Sequence, residues 1–142
     1  MNVKIGRDIY CLVNVYGPND ITKRKHFYKN IASIVQDQSL GTIIMGGDWN
    51  DVMEVSVDRS SIAKCRKNKS RKTEIRKAAK TLNLTDVWRM KHQSLKQYSW
   101  RKSVKNGEFI ASRIDLWFVS TNVYKEVYTC DIRPTRSEEH TS

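Results

Sequence analysis

The chain has 142 residues, with 26 Lys and Arg against 15 Asp and Glu, so its formal net charge is +11. One domain with a modest core fits that length, and 39% hydrophobic residues with 9% aromatics exclude a chain disordered throughout. No apolar run approaches the roughly 20 residues that span a bilayer, which excludes a membrane-embedded chain and leaves no membrane partner to expect. The three cysteines, Cys11, Cys65 and Cys130, form neither a CxxC pair nor a disulfide framework, and the expected compartment is a reducing, intracellular one.

In chain order, Ile9 to Tyr16 is apolar and β-branched and stops at Gly17-Pro18-Asn19-Asp20, which predicts a strand entering a turn. Phe27, Ile31, Ile34 and Val35 recur at helical spacing between Thr22 and Gln38, with Asn19, Asp20 and Thr22 as candidate caps. Thr42 to Met45 reads as a short buried strand, ended by a sharp turn at Gly46-Gly47, and Asp51 to Lys69 reads as a surface loop. Ile75, Ala78, Ala79 and Leu82 form one stripe of a helix over 72–84. Strands are expected at Tyr98 to Arg101 and at Ser112 to Ser120, joined through Asn106-Gly107 as a long-looped hairpin, and again at Val127 to Ile132.

The positive charge is concentrated. Nine Lys and Arg lie between Lys64 and Lys80, opposed only by Glu74, and Lys23, Arg24, Lys25 and Lys29 form a second group. Such stretches either solubilise a surface or displace the counterions condensed on a polyanion.

Gly46-Gly47-Asp48-Trp49-Asn50 is the most informative local feature. A carboxylate there can hold a metal or activate a water, and an amide two residues on can hold it in place or donate to a phosphate oxygen, although a Gly-rich Asx turn has the same spelling. Tyr16 closes a strand, where a phenol can donate to a developing oxyanion or simply pack. Asp115 sits between Ile114 and Leu116, where an acid needs a partner, and Arg113 is the nearest candidate.

Four stretches in order resemble the DNase-I-like endonuclease/exonuclease/phosphatase superfamily, and most of all the apurinic-type endonuclease domain of non-LTR (LINE-type) retrotransposons. They are Val13 to Asn19, Gly46 to Asn50, Leu84 to Arg89, and Tyr98 to Arg101 followed by Ser112 to Asp115. The resemblance implies an α/β fold, a four-layered sandwich of mixed, mainly antiparallel sheets of which this chain forms part. It also implies Mg²⁺-dependent phosphodiester hydrolysis that nicks target DNA. Asp48 would orient or deprotonate the attacking water, and Asn50 would position Asp48 and touch the scissile phosphate. Tyr16 would stabilise the transition state, with Asn19 close to the phosphate, and Asp115 would hold a catalytic histidine. Trp100 and Arg101 would line the DNA rim, and Lys67, Lys69, Arg71 and Lys72 would add backbone contacts. Trp49, where the family usually has Phe, is expected to be structural.

Two departures from the family pattern shape the expectation. The family's metal-binding Glu and first active-site Asn would fall before residue 1, so no metal ligand is assigned within this chain. The family's closing Ser-Asp-His is replaced by Arg136 to Ser142, which is what the start of a common sequencing adapter encodes. Residues 1–135 are therefore read as the later part of the domain and 136–142 as a non-native tail, which makes His140 an accident. A fragment of this kind is expected to be inactive alone. Its wider setting would be a nuclear protein with a reverse transcriptase in the same polyprotein. The alternatives are a non-catalytic basic nucleic-acid-binding remnant and a phosphatase of the same fold.

Overall fold

A computed structural model describes residues 1–60 and 73–133, so the basic residues Lys67, Lys69, Arg71 and Lys72 and the tail 136–142 lie outside the described residues. The elements are β1 (Asn2–Ile5), β2 (Asp8–Tyr16), α1 (Ile21–Gln38), β3 (Thr42–Asp48), α2 (Val55–Asp58), α3 (Glu74–Thr81), β4 (Leu84–Asp86), α4 (Val87–Lys91), β5 (Trp100–Ser103), β6 (Phe109–Ser112) and β7 (Asp115–Ser120). Short 3₁₀ turns occupy Lys105–Gly107 and Thr121–Glu126.

The main sheet has the order β1-β2-β3-β7-β4, and β5 pairs with β6 in a separate ribbon. Only β2 and β3 run parallel, because α1 carries the chain back between them; the other neighbours are antiparallel. Asp20 starts α1 by accepting the Thr22 N–H at 2.9 Å, and Thr73 starts α3 by accepting the Arg76 N–H at 3.2 Å. Both helices lie on one face of the sheet. Tyr28, Ala32 and Val35 of α1 and Ile75, Ala78 and Ala79 of α3 join Cys11, Val15, Ile43, Met45, Leu116 and Phe118 in one core. Strand alternation sends the intervening residues to the other face, where Leu12, Tyr16 and Trp117 are exposed.

Several expectations need correction. The strand does not stop at Met45; β3 runs through both glycines to Asp48. Gly46 is there because the Trp117 ring of the neighbouring strand lies where a side chain would stand, and Gly47 has a φ of +142° against the Val15 carbonyl. The described part of the segment expected as a surface loop, residues 51–60, is anchored rather than superficial, with Val52 and Asp58 fully buried and α2 formed within it; residues 61–69 lie outside the described residues. Ser112 to Ser120 is not one strand, since Ser112 ends β6 and Asp115 begins β7. Arg113 breaks the ladder by turning inward to two buried carboxylates. The hairpin partner of β5 is accordingly Phe109–Ser112.

Val127 to Ile132 is not a strand. Side-chain hooks hold it instead, with Gln97 Nε2 donating to the Ile132 carbonyl at 3.0 Å and His92 Nε2 3.1 Å from that of Cys130. The helix α4 is too short to show a period in the sequence, and its signal is a cap: Asp86 accepts the Arg89 N–H at 3.3 Å.

Candidate active site

Three adjacent strands bring Tyr16, Asp48 and Asp115 into one cross-strand row. Tyr16 pairs with Asp48 across the parallel β2–β3 contact, and Asp48 pairs with Asp115 across the antiparallel β3–β7 contact. Residues directly opposite in a ladder share a face, so the phenol and both carboxylates emerge together on the side away from the helices. Tyr16 is 74% exposed, Asp115 is exposed and Asp48 half-buried, so the row faces solvent.

Asn50 completes this edge, and its geometry answers the question its spelling left open. Its main-chain N–H donates to Asp48 Oδ1 at 3.0 Å, which is an Asx turn, and its φ of +49° is a left-handed conformation that Asn tolerates. Its side-chain Nδ2 donates to the Gly17 carbonyl at 2.6 Å, tying the β3 end to the turn after Tyr16. The Asx turn thus orients Asp48 through the Asn50 backbone. Gly17 N–H closes the same corner by donating to the Asp48 carbonyl at 2.7 Å.

Trp49 points the other way. It is 2% exposed, stacks on Tyr28 and meets Phe118 edge-on. The Tyr28 hydroxyl donates to the Trp49 carbonyl, and burial first, then the nearby Asp51 charge, raises the Tyr28 pKa well above its ordinary value. Arg24 turns inward from the front basic group to within 3.8 Å of Asp51, which Arg59 also approaches at 3.6 Å. Lys23, Lys25 and Lys29 remain exposed on α1.

Asn19 is exposed in the connection beyond Tyr16, and its carbonyl accepts from Arg24 Nη2 at 3.4 Å. Trp100 and Arg101 begin the β5–β6 ribbon, which joins β7 through Arg113 and Ile114. Trp100 is 41% exposed, and the Arg101 guanidinium lies 5.2 Å from the Phe109 ring centroid. On α3, Arg76 and Lys77 are engaged with Glu54 and Glu74 at 3.2 and 3.1 Å.

Arg113 is not the partner of Asp115. It is fully buried, with Nε and Nη2 donating to Asp58 and Nη1 and Nη2 donating to Asp86, and its guanidinium lies 4.9 Å from the Trp88 ring centroid. Burial opposes its charge, but the hydrogen bonds to Asp86 and Asp58 outweigh burial and raise its pKa. Asp58 and Asp86, to which the sequence assigned no role, therefore anchor the start of β7. Leu84 to Arg89 and Ser112 to Asp115 belong together through this pair of ion contacts.

A Mg²⁺ ion takes several oxygen ligands. No group of three His, Cys, Asp or Glu able to hold a metal occurs among the described residues, so Asp48 and Asp115 do not make a complete metal site with their described neighbours.

No protein-family model matches the chain, and no curated protein matches it. Solved structures do. An AP endonuclease from Archaeoglobus fulgidus aligns over 87% of this chain and 53% of its own, at 19% identity and a TM-score of 0.63. The AP endonuclease LMAP from Leishmania major aligns over 86% and 44%, at 18% identity and a TM-score of 0.68. The APE2 catalytic domain of Xenopus laevis aligns over 83% and 42%, at 17% identity and a TM-score of 0.60. The chain spans about half the length of the solved structures it matches. Its mixed sheet, with helices packed on one face, is the DNase-I-like fold of these AP endonucleases.

Proposed function

We propose that this chain carries hydrolytic residues of a DNA endonuclease site of the kind found in non-LTR retrotransposons. The supporting observation is the row Tyr16–Asp48–Asp115, with Asn50 at its corner, on a DNase-I-like fold. In this reading Asp48, held by the Asn50 N–H, orients a water and accepts its proton as the water oxygen bonds to phosphorus and the bond to the 3′-oxygen breaks, that oxygen taking up a proton to leave a 3′-hydroxyl. Tyr16 donates its phenolic hydrogen bond to a phosphoryl oxygen as charge develops there, and Asn50 adds a contact through its amide. Asp115 orients a histidine imidazole, and Asn19, Trp100 and Arg101 flank the strand. Mg²⁺ belongs to the proposal for the whole protein, with ligands outside the described residues. So do the nuclear setting and the reverse transcriptase, for which the Leu84 to Arg89 and Tyr98 to Trp100 motifs are the support. Taken alone, the 142-residue chain is proposed to nick DNA little or not at all. Strong Mg²⁺-dependent nicking that Asp48→Ala abolishes would overturn that point while upholding the site.

The second reading is a binding module that uses only its basic helical face, favoured by the exposed Lys23, Lys25 and Lys29 of α1. Amide shift mapping of the chain with a duplex of about one helical turn separates the two. The endonuclease reading expects the largest changes at Tyr16 to Asn19, Asp48 to Asn50, Trp100, Arg101 and Asp115. Changes confined to α1 and α3 would overturn it.

A further inference from the structure

Of the Tyr98-Ser99-Trp100 stretch, only Trp100 has so far been given a part. Ser99 is half-buried, and its hydroxyl oxygen accepts two consecutive main-chain N–H groups, those of Ile114 and Asp115, each at 3.0 Å. Its own N–H donates to the Ser112 carbonyl at 3.1 Å. One residue thus grips both ends of the Arg113-Ile114 step, where the chain leaves the β5–β6 ribbon and enters the main sheet.

That step decides where Asp115 points. Buried Leu116 and Phe118 hold the register of β7, because a one-residue slip would turn them to the opposite face, but Asp115 stands at its exposed first position, where its own main-chain hydrogen bonds set its direction. Besides the Arg113 side chain on Asp58 and Asp86, two main-chain hydrogen bonds among the described residues hold the same step: Arg113 N–H donates to the Asp58 carbonyl at 2.9 Å, and Trp49 N–H donates to the Ile114 carbonyl at 2.8 Å. Both act before residue 115. The Ser99 hydroxyl acts on the Asp115 N–H itself.

We infer that Ser99 is a positioning residue for Asp115: its hydroxyl fixes the first residue of β7, so that the Asp115 carboxylate stands beside Asp48 at the phosphate-facing edge. The inference rests on reading that edge as the DNA site. It assigns to a motif serine a task that acts through the backbone of a residue 16 positions away.

A double-mutant cycle on the 142-residue chain tests it, with duplex affinity followed by fluorescence anisotropy. A carboxylate about 5 Å from a phosphate in water repels it enough to change affinity about fourfold, so Asp115→Asn is expected to tighten binding by about that factor. In a Ser99→Val or Ser99→Ala background the gain is expected to shrink to within about 1.5-fold. In the Ser99→Thr background, which keeps the acceptor in the shape of Val, the gain is expected to return. Hydrogen exchange verifies folding, with faster exchange at Ile114 and Asp115 and an unchanged pattern on β3 and α1. A single folded variant lacking the hydroxyl suffices, which is why two are made. An equal gain in all backgrounds would overturn the positioning role and leave the site reading intact. No gain in the Ser99 chain, or no DNA binding, would overturn the site reading and the inference with it.

Discussion

Arg113→Leu is the perturbation whose consequence the structure specifies most fully. The guanidinium is 0% exposed and donates four hydrogen bonds to two carboxylates, Asp58 at 0% and Asp86 at 7% exposure. Leucine fills part of the volume but, among the described residues, leaves Asp86 without its ion partner and Asp58 with Arg89 alone. Removing one side of a buried ion pair costs about 3–5 kcal/mol. Taking the guanidinium charge away from the Trp88 ring adds about 0.5–2 kcal/mol. Together these reach about 3.5–7 kcal/mol, and even a loss near the lower end, about 4 kcal/mol, is a large part of the roughly 5–15 kcal/mol that holds a domain together. With a urea slope of about 2 kcal/mol per molar, the unfolding midpoint should fall by about 2 M. Tryptophan fluorescence is the natural probe, because Trp88 lies against both Arg113 and Arg89. The control is the double variant Arg113→Leu/Asp86→Asn, which removes the stranded charge, leaves Asp58 paired with Arg89 and keeps a capping side chain on α4. It should recover at least about 2 kcal/mol of the loss. A single-variant loss under about 1 kcal/mol, the range of a surface ion pair, would refute the reasoning. A double variant no better than the single one would show that packing, and not stranded charge, sets the loss.

Three further outcomes are expected. Gly46→Ala places a methyl group against the Trp117 ring and should cost about 1–3 kcal/mol in a urea melt, a loss that Trp117→Ala should largely remove. Tyr28→Phe removes the donor to the buried Trp49 carbonyl and should cost about 1–3 kcal/mol at neutral pH. Because the folded-state pKa of Tyr28 is raised, the wild-type advantage is fully present below the ordinary tyrosine value of about 10 and is lost as pH rises beyond it, so the gap should narrow in alkaline melts. Replacing Lys67, Lys69, Arg71 and Lys72 with Ala should lower the slope of log affinity against log salt by about 0.9 for each phosphate that is no longer neutralised, and an unchanged slope would assign DNA binding to other cations.

How far the sequence could be read depended on whether the signal was local. The apolar stripe of α3 and the strand before Gly17 follow from spacing within one element, and both formed, although the helix expected to reach residue 84 ends at Thr81 and Leu84 begins β4. Asp48, Asn50, Tyr16 and Asp115 could be named from short motifs, but their assembly in one row needed the β2–β3–β7 register. Arg113 shows the same limit. Two residues from Asp115, it has the spacing of a neighbour on one strand, whereas its carboxylates come from residues 58 and 86. The trace of that network was present as an acid in each of two apolar settings, Asp58 after Val55 and Val57, and Asp86 before Val87. Ser99 has the look of a spacer between two aromatics, because a hydroxyl that serves the backbone leaves no pattern in the side-chain sequence. Val127 to Ile132 has β-branched composition without a ladder, since side chains of His92 and Gln97, and not a neighbouring strand, meet the carbonyls of Cys130 and Ile132.

The central claim is that Asp48 faces a DNA phosphate, and its most direct test is the sign of one affinity change. Asp48→Asn keeps an oxygen to accept the Asn50 N–H, so the corner persists while the charge goes. At about 5 Å in water the repulsion removed is about 0.8 kcal/mol, and anisotropy titrations with a short duplex should show binding tightened about fourfold, with less effect at high salt. Unchanged or weaker binding would contradict the account, because a carboxylate that faces a phosphate must oppose it.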